Sequence, residues 1–194
     1  HWLFNKIQLF EELEENLYNK YRKRFGDLIP DILADKREIY GYPVMGKELE
    51  NIIDTDNIHG WLQNKIANVE TRQAAFIADV IEHFGDRAIN HAKDVYAQHG
   101  KKCGQDAQLK KDIDKAPEIY KALNDYLLDG MPCDTANRVK LEEDNIIKWE
   151  HSNCLHIEHW QRTKINADLL YESRKIWIEN FVDAANSDFK YSFT

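Results

Sequence analysis

The sequence predicts an α+β fold, mainly helical over its first two-thirds, with a small antiparallel sheet formed by a C-terminal hairpin and the closing strand. Three observations carry that expectation. Apolar residues recur at spacings of three and four from Leu3 to Tyr21 and again from Leu62 to Phe84. After Cys133 the apolar period shortens to two, and the ending from Asp188 to Phe193 alternates polar and apolar over a strand's length.

In order along the chain, Leu3, Ile7, Phe10, Leu13, Leu17 and Tyr21 define one helical stripe, with Glu11, Glu12, Glu14 and Glu15 between them. The helix is expected to end near Phe25-Gly26, where glycine can take the left-handed cap conformation. Residues 27–57 hold two prolines and two isolated glycines, which reads as short helical pieces and loops. Within them YGYPVMG (40–46) has the turn chemistry of a covered loop or a pocket wall. Asp54 to Asn57 supplies capping residues for a second stripe, Leu62, Ile66, Val69, Phe76, Val80 and Phe84, broken at Gln73. A third helix is expected from Asp86 to His99-Gly100, with polar, undecided sequence from Cys103 to Lys111. Pro117 suits the first turn of a further helix that Gly130 and Pro132 stop. Val139 and Leu141, then Ile147, Trp149 and His151, flank the turn Glu143-Asp144-Asn145 as a hairpin, and residues 167–184 return to helix.

At 194 residues a single domain is the default, with residues 1–57 as a helical N-terminal extension of residues 58–194. Hydrophobic residues make up 43% and charged residues 31%, a soluble globular balance. The 34 acidic against 26 basic side chains give a net charge of −8, which repels a polyanion and argues against nucleic acid as a partner. The basic run Lys20 to Arg24 falls at a helix end, where cations suit the dipole. No apolar run approaches the roughly 18 residues of a membrane span, and the start at His1, without methionine, is compatible with a trimmed leader. Three irregularly spaced cysteines make poor disulfide material and fit a reducing cytoplasm.

Chemistry concentrates in WEHSNCLHIEHW (149–160), which places Cys154 and three of the eight histidines within nine residues. His151, Cys154, His156 and His159 are zinc-type ligands, and all four converge only if the chain bends at Ser152-Asn153. Alternatively Cys154 is a nucleophile: a thiol attacks as thiolate, and His156, two residues on along a strand, would share its face and lower its pKa. Glu150 or Glu158 would then orient the imidazole. The third reading is an ordinary core of cysteine, histidine and tryptophan.

The run HFGDRAINHAKDVYAQHGKKCGQ (83–105), the hairpin reaching WEHSNC and the terminal DFKYSF together resemble the aminothiazoline-carboxylate hydrolase-like family over about residues 80–194. In that family a helix opening with Phe-Gly-x-x-Ala precedes a sheet bearing a cysteine, and the chain closes on a Cys-Asp-Phe-Arg-Phe-like strand. The resemblance matches Cys154 to the sheet cysteine and Ser187-Asp188-Phe189-Lys190-Tyr191 to the closing strand. It departs at Leu155, where proline is common, at Ser187, which replaces a cysteine, and in a more helical segment between. It implies opening of a nitrogen-containing ring or cleavage of an amidine-type C–N bond. In that chemistry Cys154 adds to carbon, His156 shuttles the proton, Asp188 or Ser187 orients base or substrate, and Lys190 meets a carboxylate; Trp149 and Tyr191 would line the substrate. If both family cysteines are required, this chain keeps the fold and loses or changes the reaction. No cofactor is expected on this reading; zinc belongs to the metal-binding alternative, a module without turnover. The expected partner is a small polar molecule, without nucleic acid or membrane. A helical interaction domain binding a protein or a second copy of itself is the remaining alternative.

Overall fold

A computed structural model describes residues 1–134, 136–151 and 154–193, the side chain of residue 132 excepted. Among the described residues seven α-helices and a hairpin follow one another, with short 3-10 turns between some of them: α1 (Trp2–Phe25), α2 (Leu28–Tyr40), α3 (Ile58–Phe84), α4 (Asp86–Lys110), α5 (Ala116–Tyr126), β1 (Asn137–Glu143), β2 (Ile146–His151), the single turn α6 (Ile157–Trp160) and α7 (Ala167–Ala185). The chain is α+β and mainly helical, as the periodicities predict. Among the described residues no helix is long and apolar enough to cross a membrane.

The apolar stripe of α1 delivers Leu13, Leu17 and Tyr21 into the same core as Phe76, Ile77 and Val80 of α3, Ala92 and Val95 of α4 and Phe181 of α7. Residues 1–25 are therefore part of the bundle itself. A second cluster gathers Leu3, Phe4 and Ile7 of α1 with Val44, Ile66, Val69, Leu128 and Met131. Val44 belongs to the YGYPVMG loop, which packs down: Glu11 accepts the backbone N–H groups of Val44 (2.9 Å) and Met45 (2.6 Å). Arg72, 1% exposed, donates through Nε to both Glu14 oxygens (2.9 and 3.0 Å) and through Nη1 to the Gly41 carbonyl (2.8 Å), tying α3 to α1 and that loop.

Three elements depart from the periodicity reading. Residues 28–40 form one continuous helix, because Pro30 sits in its first turn, where no i−4 hydrogen bond is lost. Helix α4 continues through Gly100 and Gly104 to Lys110. Those glycines act as spacers and not as stops: a Cβ on Gly100 would lie well inside van der Waals contact of the Trp177 carbonyl oxygen, and one on Gly104 would meet that of Phe181. Four residues apart on one face, they let α7 lie against the α4 backbone.

The third departure is the closing segment. The sheet has two antiparallel strands, with Asn137 opposite His151 and Glu143 opposite Ile146, and Phe189 to Phe193 forms no ladder with it. The segment packs side chain to side chain instead: Tyr191 lies 5.7 Å from Trp149 of β2, whose other neighbour is Tyr120 of α5 at 4.7 Å. Alternation over six residues thus marks a segment with one covered face.

Candidate active site around Cys154 and a buried charge array

Four ionic side chains from distant parts of the chain meet beside the Cys154 loop. Glu70 comes from the middle of α3, Asp129 from the turn after α5, His156 from the residue before α6 and Arg174 from α7. His156 is 5% exposed and Glu70 2%. The His156 ring uses both nitrogens: Nδ1 lies 2.9 Å from Glu70 Oε1 and Nε2 3.2 Å from Asp129 Oδ1. Arg174 pairs with the same Asp129 oxygen through Nη2 and donates through Nη1 to the Leu128 carbonyl (3.4 Å). Trp160 of α6 closes the group, its indole N–H on Glu70 Oε2 (3.2 Å) and its ring stacked on His156 at 5.2 Å and 11°.

The charge states follow from these neighbours. Burial opposes protonation of His156, but Glu70 foremost and then Asp129 raise its pKa to about 9, against the push of Arg174. Burial would push both carboxyls up, yet His156 holds Glu70 below its ordinary value, and Arg174 with His156 holds Asp129 far below its own. At neutral pH His156 is thus an imidazolium between two carboxylates. A base must have a free lone pair to take a proton, and this ring has none to offer.

Local geometry explains why α6 sits there. Gly130 has φ of 67°, a left-handed conformation, and a Cβ on it would strike the Leu155 side chain. Glycine therefore allows the Asp129 turn and the Cys154-Leu155-His156 segment to close on one another.

Cys154 itself is half-buried, with Sγ 2.8 Å from the hydroxyl of Tyr171, an exposed residue of α7. Burial first and Cys154 second push the Tyr171 phenol up to about 12. The Tyr171 ring meets Trp160 edge-on at 4.9 Å, so thiol, phenol, indole and imidazolium follow one another in contact. A small cavity of about 30 Å³ is walled by Trp160 and His156 together with Gln73, Tyr96, His99 and Trp177. Its His99 accepts the Trp177 indole N–H at Nδ1 (2.9 Å), and burial lowers its pKa to about 4, so that ring is neutral.

The structure brings together some of the residues singled out from the sequence and separates others. Cys154 and His156 lie on the same short segment, but the partner of the thiol is Tyr171 and the partners of the imidazole are carboxylates. His151 feels Asp129, Arg174 and His156; burial is the main cause of its lowered pKa, as it is for His159. The bend at Ser152-Asn153 lies outside the described residues. Among the described residues no group of three or more His, Cys, Asp or Glu is arranged to hold a metal ion. In the closing segment Ser187 and Asp188 are exposed, the Asp188 backbone N–H bonds Asn186 (3.0 Å), and Lys190 pairs with Asp183. Tyr191 pairs with Trp149 as already described and feels Arg174 and Asp129 of the array electrostatically.

Glu70, Asp129, Arg174, Trp160 and Tyr171 were not legible as site residues in the sequence reading. A signal was there for two of them. Arg174 stands between Leu170 and Trp177 and Glu70 between Ile66 and Ala74, each at a core position of its helix where an apolar residue would keep the stripe. No family model, curated protein or solved structure matches the chain.

Proposed function

We propose that the chain is a small-molecule hydrolase-like protein that opens a nitrogen-containing ring or cleaves an amidine-type C–N bond with Cys154 as nucleophile. The observation that carries this reading is the 2.8 Å contact between Cys154 Sγ and the Tyr171 hydroxyl at the rim of a buried charge array. Buried ionic arrays whose pKa values are pushed apart cluster at functional sites. The resemblance to the aminothiazoline-carboxylate hydrolase-like family supports the same chemistry.

In the proposed step Sγ forms a bond to the electrophilic carbon, and the thiol proton passes to Tyr171 as the phenol gives its own to the leaving nitrogen. The C–N bond breaks with its electron pair on that nitrogen, and no free phenolate forms. Water then adds to the thiol-bound carbon, and the C–S bond breaks to return the thiol. His156 acts as a fixed cation that sets the local potential, and the exposed Tyr171, backed by Trp160, offers the surface for a planar substrate. The three free cysteines suit a reducing compartment such as the cytoplasm.

The test is the rate of Cys154 alkylation from pH 5 to 9, followed by a screen of cyclic amidines and thiazolines against wild type and Cys154→Ala. Rapid labelling below the reference thiol pKa of about 8.5, with turnover lost in Cys154→Ala, is expected. Turnover that survives Cys154→Ala removes the covalent route.

A further inference from the structure

Among the described residues the sheet has two strands, so each strand keeps one outer edge. The two edges differ. β1 carries the register shift between Val139 and Leu141, and a bulge of that kind twists an edge away from further pairing. β2 is regular from Ile146 to His151. Asp144 and Asn145 form a two-residue turn, and the pair that flanks such a turn, Glu143 and Ile146, is hydrogen-bonded across the ladder. The backbone groups of Ile146, Lys148 and Glu150 therefore face β1, and those of Ile147, Trp149 and His151 face outward. Among the described residues that outer row has no backbone partner. Lys148 and Glu150 are both exposed and share one face of the strand. No carboxylate of the described residues lies within ion-pair distance of Lys148, while Glu150 meets Lys140 of β1 (2.5 Å).

We infer that two copies of the chain join through β2, edge to edge and antiparallel, into a four-stranded sheet about a two-fold axis at Trp149. Backbone direction and charge together select that register. Residues that exchange hydrogen bonds across the new contact must both face outward, so an outward residue of one copy has to lie opposite an outward residue of the other. Two such registers keep five residues of each strand paired, 146–150 about Lys148 or 147–151 about Trp149. The first sets Lys148 against Lys148 of the second copy. The second sets Lys148 against Glu150 of the second copy, and by symmetry does so twice. Like charges directly opposite destabilise a strand pair and opposite charges stabilise it, so the Trp149 register prevails. In it Trp149 exchanges backbone bonds with its own symmetry mate, and Ile147 with His151 of the second copy. The contact is isologous and closed, and each β1 remains on the outside with its bulge. It does not depend on the chemistry of Cys154.

The test is sedimentation velocity of the native chain at about 10–500 µM, since an interface of one strand edge is small and transient. Backbone amide exchange is read residue by residue at both ends of that range. A reversible dimer is expected, with exchange slowed at high concentration at Ile147, Trp149 and His151. Lys148→Glu and Glu150→Lys each place like charges opposite one another, and each alone is expected to weaken the dimer at least about tenfold. An equimolar mixture of the two variants restores both opposite-charge pairs and is expected to dimerise as the wild type does. A wild-type chain that stays monomeric at the highest concentration, a dimer that either charge reversal leaves intact, a mixture no tighter than its components, or protection confined to β1 or to a helix overturns the inference.

Discussion

Gly100 of α4 meets the backbone carbonyl of Trp177 across the helix pair so closely that no side chain fits between them. The neighbouring contact, Gly104 on Phe181, repeats the arrangement one turn on. Backbone, unlike the end of a flexible side chain, cannot step aside. Gly100→Ala therefore gains helix propensity yet separates α4 from α7. The net effect expected is a loss of about 2 kcal/mol from overpacking, seen as a melting temperature about 5 °C lower. A variant as stable as wild type would mean that α7 does not lie on α4 at this distance.

Arg174 is the partner whose loss is hardest to absorb. Arg174→Met keeps most of the stem packing but leaves Asp129, its side chain 10% exposed, with His156 and the neutral Asn137 amide (3.0 Å). Breaking a buried pair by removing one partner costs about 3 kcal/mol. Urea unfolding should register that loss, whereas Lys164→Met, which breaks the exposed pair with Glu82, should leave the midpoint unchanged. Equal midpoints for the two variants would show that the array contributes nothing beyond surface pairs.

The raised pKa of His156 sets the slope of stability against pH. Its folded value of about 9 lies above the unfolded 6.5, so its stabilisation is complete below pH 6.5 and is lost as pH rises toward 9. Lys6 works the other way at the alkaline end, because its folded value of about 8 lies below the unfolded 10.5. Between pH 6.5 and 8 the His156 contribution falls by on the order of 2 kcal/mol, opposed near the lower end of the interval by His91, His99, His151 and His159, whose folded values lie below the ordinary one. Tryptophan fluorescence in urea would measure it, and His156→Asn should flatten the slope. A slope that survives the substitution would assign the titration to another group.

The cysteines should react in a fixed order. Cys133 is exposed, Cys154 half-buried beside Tyr171, and Cys103 buried, with burial pushing its thiol up to about 12. A disulfide reagent under native conditions should label two thiols per chain and reach the third only on unfolding. Tyr171→Phe removes the hydroxyl that can donate to the Cys154 thiolate, so labelling of Cys154 should slow about threefold to tenfold near neutral pH. Unchanged kinetics would leave Tyr171 as a bystander.

Helices α1, α3, α5 and α7 were legible in the sequence because each carries an apolar stripe, and the hairpin because its strands alternate around a polar turn. Gly100 and Gly104 misled the reading of α4, since a glycine that ends a helix and one that admits a neighbouring backbone look alike in one dimension. The closing segment misled it for a related reason: alternation reports a covered face, and Tyr191 covers that face on Trp149 without backbone pairing. The candidate site was half legible. Cys154 and His156 stand out by type and spacing, but their partners lie 17 and 86 residues away, a distance that local pattern does not carry.

The contact between α4 and α7 also bears on how the chain is made. α4 is complete at Lys110 and α7 only at Ala185, a difference of 75 residues (185 − 110). A ribosome adding roughly 5–20 residues per second needs about 4–15 s to cover that stretch. During it the α4 face that carries Gly100 and Gly104 has no helix to receive. The nascent chain therefore holds an open, partly apolar groove until α7 emerges. Premature termination before α7 would leave that groove permanently open, as a surface for chaperones or for aggregation.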